Sequence, residues 1–182
     1  FVTEVTDGLL PPPKYFPLNV KMNKEGYEDI ATVLERGTNA LSPDEFERIA
    51  NDTAALVLDV RPQEEFIKGH IPRSIFIGLN GDFAPWVGAL IADVKQPILL
   101  VSPVGKEEEA GTRLSRVGFD NTVGILEGGF NAWKDAGKEI DYITSIDTVT
   151  AKELIDKYDV AVFDVRKESE FKAEHLANAK NT

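Results

Sequence analysis

Between residues 42 and 140 the apolar positions switch repeatedly between two periods. The short apolar runs at 55–60 (ALVLDV), 74–78 (SIFIG), 97–101 (PILLV) and 122–126 (TVGIL) predict four buried strands. Helical spacing fills the gaps. Ser42-Pro43-Asp44-Glu45 reads as a capping box, with Ser as N-cap, Pro at the first helical position and Glu three residues on; Phe46 and Ile49 follow on one face. Further helices are predicted in PQEEFIKG (62–69), in GDFAPWVGALIADV (81–94) with Asp82 as N-cap, over 105–117, and in GGFNAWKDAG (128–137), stopped at Gly137. Apolar strands separated by helices predict an α/β fold, a parallel sheet covered on both faces.

Both flanks depart from this pattern. In the leader, 1–41, Pro11, Pro12 and Pro13 favour an extended chain. Behind them MNKEGYEDIATVLERG puts Tyr27, Ile30, Ala31 and Leu34 on one helical face, with Gly37 placed for the stop. A helix this short is marginal alone, so the leader is expected to dock on another domain; a disordered linker is the alternative. From 141 onward the pattern starts again. LVLDVRPQEEFIKGHI (56–71) is answered by AVFDVRKESEFKAEHL (161–176), so that Asp59, Arg61, Glu65, Phe66 and His70 match Asp164, Arg166, Glu170, Phe171 and His175. The two histidines of the chain are thus repeat mates. Thr150-Ala151-Lys152-Glu153 reads as a second capping box. The second copy ends before a third strand and is expected to be an incomplete repeat, unable to bury a full core alone. With Phe1 first and no signal-peptide pattern, the chain reads as a piece of something longer.

Composition narrows the chemistry. Of 182 residues, 42% are apolar and 28% charged, as in ordinary globular domains, and the net charge is −11. That charge argues against nucleic acid and against anionic membrane surfaces, both of which call for clustered Lys and Arg. No apolar run approaches the roughly 18–20 residues of a membrane span. There is no Cys, which removes disulfides, thiolate catalysis and zinc–sulfur sites.

The run DVRPQEEFIKGHIPRSIFI, followed by strand, short loop, helix, strand and LEGGFNAW, resembles the rhodanese-like domain over 42–140, with a truncated second copy at 146–182. The resemblance implies a doubly wound α/β domain with a central parallel sheet. It also implies sulfur transfer through a cysteine persulfide in the loop after the third strand. A weaker resemblance lies in TDGLLPPPKYFPLNVKMNKEGY, which is similar to the stretch that follows a metallo-β-lactamase-fold domain in proteins carrying rhodanese repeats. It implies a parent akin to persulfide dioxygenases and glyoxalase-like hydrolases, with a zinc or iron site upstream of Phe1. No cofactor is expected in 1–182. The expected partners are neighbouring domains of the same chain, with a second copy as a further candidate, and the expected compartment is the cytoplasm of a bacterium.

In active relatives the loop begins with Cys; the matching residue here is Ser102, heading Ser102-Pro103-Val104-Gly105-Lys106-Glu107. A thiolate carries sulfane sulfur, and a hydroxyl cannot. Ser102 could act only as an acyl- or phosphoryl-transfer nucleophile, which needs a base. His70 is assigned by the resemblance to a structural turn. Glu107, Glu108 and Glu109 suit the helix start but oppose an incoming anion, leaving Lys106 as the cation in reach. No catalytic residue is therefore assigned. Asp59 and Arg61 are read as fixing neighbouring loops, Phe130 and Trp133 as core, and Phe83 and Trp86 as packing with pocket lining as the alternative. Three functions follow: a catalytically silent scaffold, interdomain or dimerisation module of a larger hydrolase or dioxygenase; a regulatory module for a persulfide or thiol carrier; or an anion-handling enzyme using Ser102 and Lys106.

Overall fold

The computed structural model describes residues 16–26 and 29–182. They form two compact units, one ending at Ile143 and the other Thr144–Thr182, taken separately below.

The first unit is built on a five-stranded, all-parallel sheet. Its strands are β1 (Ala40–Leu41), β2 (Leu56–Asp59), β3 (Ile75–Phe76), β4 (Ile98–Val101) and β5 (Thr122–Leu126), in the order β1-β5-β4-β2-β3. The helices are α1 (Phe16–Glu25), α2 (Ile30–Gly37), α3 (Pro43–Asp52), α4 (Gln63–Lys68), α5 (Phe83–Leu90), α6 (Glu107–Ser115) and α7 (Gly129–Asp135). Side chains of β4 alternate between the faces, as the two-residue period of a strand requires. Ile98 and Leu100 join one core with Phe83, Val87, Leu114 and Phe119; Leu99 and Val101 join the other with Phe46, Ile71 and Trp133. A central strand buried on both sides has no polar face, which is why it reads as an unbroken apolar run.

The α/β doubly wound prediction holds, and the α3 cap forms as expected. Ser42 Oγ accepts from the Glu45 N–H at 3.4 Å, and the Ser42 N–H donates to the Glu45 carboxylate at 3.2 Å. Several local expectations need correction. Phe16–Val20 is helical, so the extended leader does not reach past residue 15; Pro11–Pro13 and Tyr27 lie outside the described residues. The predicted leader helix is interrupted: Gly26 has φ +91°, and α2 starts only at Ile30. Gly37 is the last residue of α2 rather than its left-handed stop. Its role is close approach, since a Cβ there would sit 3.2 Å from Cβ of Thr122. Leu34 meets Gly111 of α6 in the same way, so α2 packs on the sheet's own elements.

The short strand β1 was not legible in the sequence; two residues cannot display a period. The helix predicted to run to residue 94 ends at Leu90, and Asp82 holds the N-cap position without a side-chain hydrogen bond. The helix after the third strand begins at Glu107, not 105, because Gly105 has φ +83°.

The second unit contains α8 (Thr148–Lys157), α9 (Glu168–Ala173) and a parallel pair, β6 (Phe163–Asp164) with β7 (Lys180–Asn181). The predicted Thr150 capping box does not form. Asp147 is the N-cap, and its carboxylate accepts from the Thr150 N–H at 2.8 Å. An ionised acceptor makes the stronger cap.

Gly124 provides the sharpest packing constraint. A Cβ there would press into Leu41 and come within 3.1 Å of the Asn39 carbonyl. We expect Gly124→Ala to lose about 1–3 kcal/mol of stability by overpacking. Urea unfolding would measure it, and an unchanged midpoint would show that β1 is not held against β5.

Candidate functional site

In the strand order the chain leaves β2 for β3 on one side, then returns to place β4 on the other. Ligands of open parallel sheets bind at such a reversal, beyond the carboxyl ends of the strands. At this point Asp59 lies opposite Val101, and the Val60 N–H donates to the Val101 carbonyl at 2.9 Å. Ser102 comes next, so the loop 102–106 starts from the switch point.

The loop rests on a buried ion pair. Arg61 Nε lies 3.0 Å from both Asp59 carboxylate oxygens, and its Nη2 donates to Oδ2 at 2.7 Å. The Arg61 backbone N–H donates to the same carboxylate at 3.0 Å. Asp59 is fully buried and Arg61 nearly so. Burying two charges is tolerable only when their remaining hydrogen-bonding capacity is met. The spare Nη2 capacity goes to the Gly69 carbonyl at 2.8 Å, and the guanidinium lies 4.1 Å from the centroid of the Phe130 ring. Arg61 thereby ties the end of β2 to the end of α4 and the start of α7. It unites the DVR…GH run with the EGGF run, two stretches the sequence shows about sixty residues apart.

His70 belongs to this framework. Its Nδ1 donates to the Phe66 carbonyl at 3.0 Å, the tautomer being assigned from that acceptor, and its ring stacks on Phe66 with centroids 4.0 Å apart. Its backbone exchanges hydrogen bonds with Asp141.

Gly128 and Gly129 both take positive φ, +70° and +63°. That left-handed pair turns β5 into α7, and a Cβ on Gly129 would stand 3.2 Å from the Ser102 carbonyl. The EGG motif thus lets α7 begin directly against the loop.

The structure brings Ser102, Pro103, Val104, Gly105, Lys106 and Glu107 together as a tight turn closed by Lys106 N–H to the Pro103 carbonyl at 3.0 Å. Ser102 is 2% exposed, and its hydroxyl has no hydrogen-bond partner among the described residues. No imidazole, amine or carboxylate is therefore placed to take its proton. Lys106 is not free for an anion: its ammonium pairs with Glu109 at 2.8 Å, and Arg113 pairs with the same carboxylate at 2.7 Å. Those two cations, the Lys106 hydrogen bond foremost, hold the Glu109 carboxyl below its ordinary range. Among the described residues no group of three or more His, Cys, Asp or Glu is arranged to hold a metal ion.

Beside the loop lies an open cleft of about 740 Å³, lined by Pro62, Glu64, Phe76, Trp86, Pro103 and Lys106 among others. Phe83 packs in the core, as expected, whereas Trp86 is 57% exposed and lines the cleft; lining, not packing, is its role. Phe130 combines core packing with a contact to Arg61 that helical spacing alone does not show. An aromatic following two glycines was the available signal.

The second unit repeats the framework. Arg166 grips Asp164 at 2.6 Å and the Glu174 carbonyl at 2.8 Å; His175 Nδ1 donates to the Phe171 carbonyl at 2.8 Å, with the rings 4.0 Å apart. Even the left-handed residue recurs, Arg73 at φ +64° and Asn178 at +67°. Here the pair is partly exposed.

The rhodanese-like domain family model matches residues 42–136. Among curated proteins, the thiosulfate sulfurtransferase GlpE of Shewanella oneidensis is 30% identical over 97 residues, covering 53% of this chain and 92% of that protein. The mitochondrial protein HIGH ARSENIC CONTENT 1 of Arabidopsis thaliana is 31% identical over 90 residues, covering 44% of this chain. The chain spans 53% of the length of that Arabidopsis relative. Among solved structures, the Alr3790 protein of Anabaena sp. superposes with a TM-score of 0.50 at 20% identity, over 63% of this chain and all of that one. A chain described as a metallo-beta-lactamase from Staphylococcus aureus gives 0.52 at 22% identity, over 69% of this chain and 33% of its own. These two show likeness of fold.

Three outcomes follow from the geometry. Asp59→Asn leaves the Arg61 charge buried without its counter-ion and should cost about 3–5 kcal/mol in a denaturation experiment. Ser102→Ala removes an unpartnered buried hydroxyl, so its unfolding midpoint should stay level or rise; a clear loss would reveal a partner for that oxygen. The Asp164 carboxyl, held at about 2 against an ordinary 3.8 chiefly by the Arg166 side chain, should titrate near 2 by NMR. A depressed carboxyl contributes stability that is complete above about 3.8 and lost as pH falls through about 2. Titration near 3.8 would mean the grip is absent in solution.

Proposed function

The chain belongs to the rhodanese-like family, and we propose that in it the family's sulfur-carrying loop has become catalytically silent and the domain acts as a scaffold. The observation that carries this is the Ser102 hydroxyl, buried and without a partner at the head of the loop. Sulfane transfer needs a thiolate that forms an S–S bond and releases it to an acceptor. An alcohol oxygen with no base within hydrogen-bond reach does neither, and it is no better as an acyl or phosphoryl nucleophile. The loop's cation is committed to Glu109, and the carboxylates of Glu107 and Glu108 stand in the first turn of α6, where an anionic donor would approach.

In this reading the rigid frame around Arg61 serves placement of neighbouring parts. The second unit is a truncated copy of the first; the duplicated Asp–Arg–His–Phe geometry supports that. The parent is a metallo-β-lactamase-fold hydrolase or persulfide dioxygenase of the bacterial cytoplasm, using zinc or iron in a domain preceding Phe1. The sequence of the leader and the likeness of fold to the S. aureus chain support this parentage. The domain's partners would be other domains of its own chain or a second copy.

The test is sulfur transfer. Incubated with thiosulfate and cyanide, the protein should yield no thiocyanate above background, and its intact mass should show no added sulfur. Ser102→Cys restores the sulfur atom but leaves Glu107 and Glu108 in the path of the anion, so it should take up sulfur from thiosulfate only slowly. Turnover or an adduct on the unaltered chain overturns the proposal.

A further inference from the structure

Helix α5 carries two stripes four residues apart. Phe83, Val87 and Ile91, just past its end, are buried in the core. Asp82, Trp86 and Leu90 line the open cleft instead, with Trp86 57% and Leu90 50% exposed. The first stripe accounts for the helix's attachment to the sheet, so the fold does not need the second. A large indole and a leucine left in water beside a cleft are the usual mark of a recognition surface. Phe76 and Pro103 add apolar surface to the same lining.

Charge selects the occupant. The titratable residues lining the cleft are Glu64, Asp82, Lys106 and Glu109. Lys106 and Glu109 neutralise each other at 2.8 Å, and Arg113 also engages Glu109. Glu64 and Asp82 are exposed and have no ion-pair or side-chain hydrogen-bond partner among the described residues. The cleft therefore presents two uncommitted carboxylates and an aromatic face, on a chain of net charge −11. An anion meets repulsion here. A guanidinium or ammonium meets carboxylates and a ring quadrupole, and the methylene stem of Arg or Lys fits an apolar wall.

We propose that this cleft binds a basic peptide segment of a partner protein, whose Arg or Lys side chain engages Trp86, Glu64 and Asp82 and whose apolar neighbours cover Leu90 and Phe76. The inference rests on the domain being a scaffold and supplies the partner chemistry that such a scaffold needs. Its test is separate from that reading's, since thiosulfate turnover bears on Ser102 and the following titration does not.

The probe is a short peptide alternating Arg and Leu, with the Glu–Leu peptide of equal length as its counterpart, titrated while tryptophan fluorescence is followed. The unaltered protein should bind the Arg–Leu peptide saturably, more weakly as salt rises, and the Glu–Leu peptide not at all. The Glu64→Gln, Asp82→Asn double variant should weaken binding about tenfold or more. Trp86→Ala should abolish the fluorescence response and weaken binding measured by calorimetry. All three side chains are exposed, so unfolding midpoints of the variants should match the parent and separate lost binding from lost fold. Equal binding of both peptides, binding that ignores these substitutions, or no saturable binding of the Arg–Leu peptide overturns the proposal.

Discussion

The structure around the switch point depends on one buried contact, the grip of Arg61 on Asp59. Two opposite charges placed out of water are costly, and the cost is met because every strong donor direction of the guanidinium on that side has an acceptor. The consequence is geometric. β2, the close of α4 and the start of α7 are fixed to one planar group, and the loop after β4 is framed between them. The same grip recurs in the second unit, with the matching histidine bonded to the matching carbonyl four residues back, so the framework is one that both units share.

Against that fixed frame stands the side chain of residue 102, an alcohol where sulfane transfer would need a thiolate. The hydroxyl is then neither ionised nor hydrogen-bonded, and the cation beside it is absorbed by Glu109. Frame and chemistry are separable: the frame persists because Arg61, Gly128 and Gly129 build it, none of which depends on the atom at position 102. The cleft alongside is open, with the carboxylates of Glu64 and Asp82 on its lining.

Much of the molecule was legible beforehand because parallel sheets write themselves plainly. The buried strand 98–101 is an unbroken apolar run, 122–126 departs from one only at Thr122, and Ser42 with Glu45 declares a helix start. Short or polar features escaped. β1 has two residues, too few for any period. Gly37 looked like a helix stop but is small because Thr122 lies against it. Thr150 with Glu153 fits the capping-box pattern, whereas the stronger acceptor, Asp147, stands three residues earlier.

By itself the sequence determined the α/β class, the strand–helix order, the match of 56–71 with 161–176 and the presence of serine at residue 102, because periodicity and residue identity are local properties of the chain. Only the tertiary structure decided that Arg61 reaches Phe130, that the Ser102 hydroxyl has no partner, and that Trp86 faces open water beside two unpaired carboxylates. Those are distances between residues far apart in sequence, set by how the sheet and its helices close around one another.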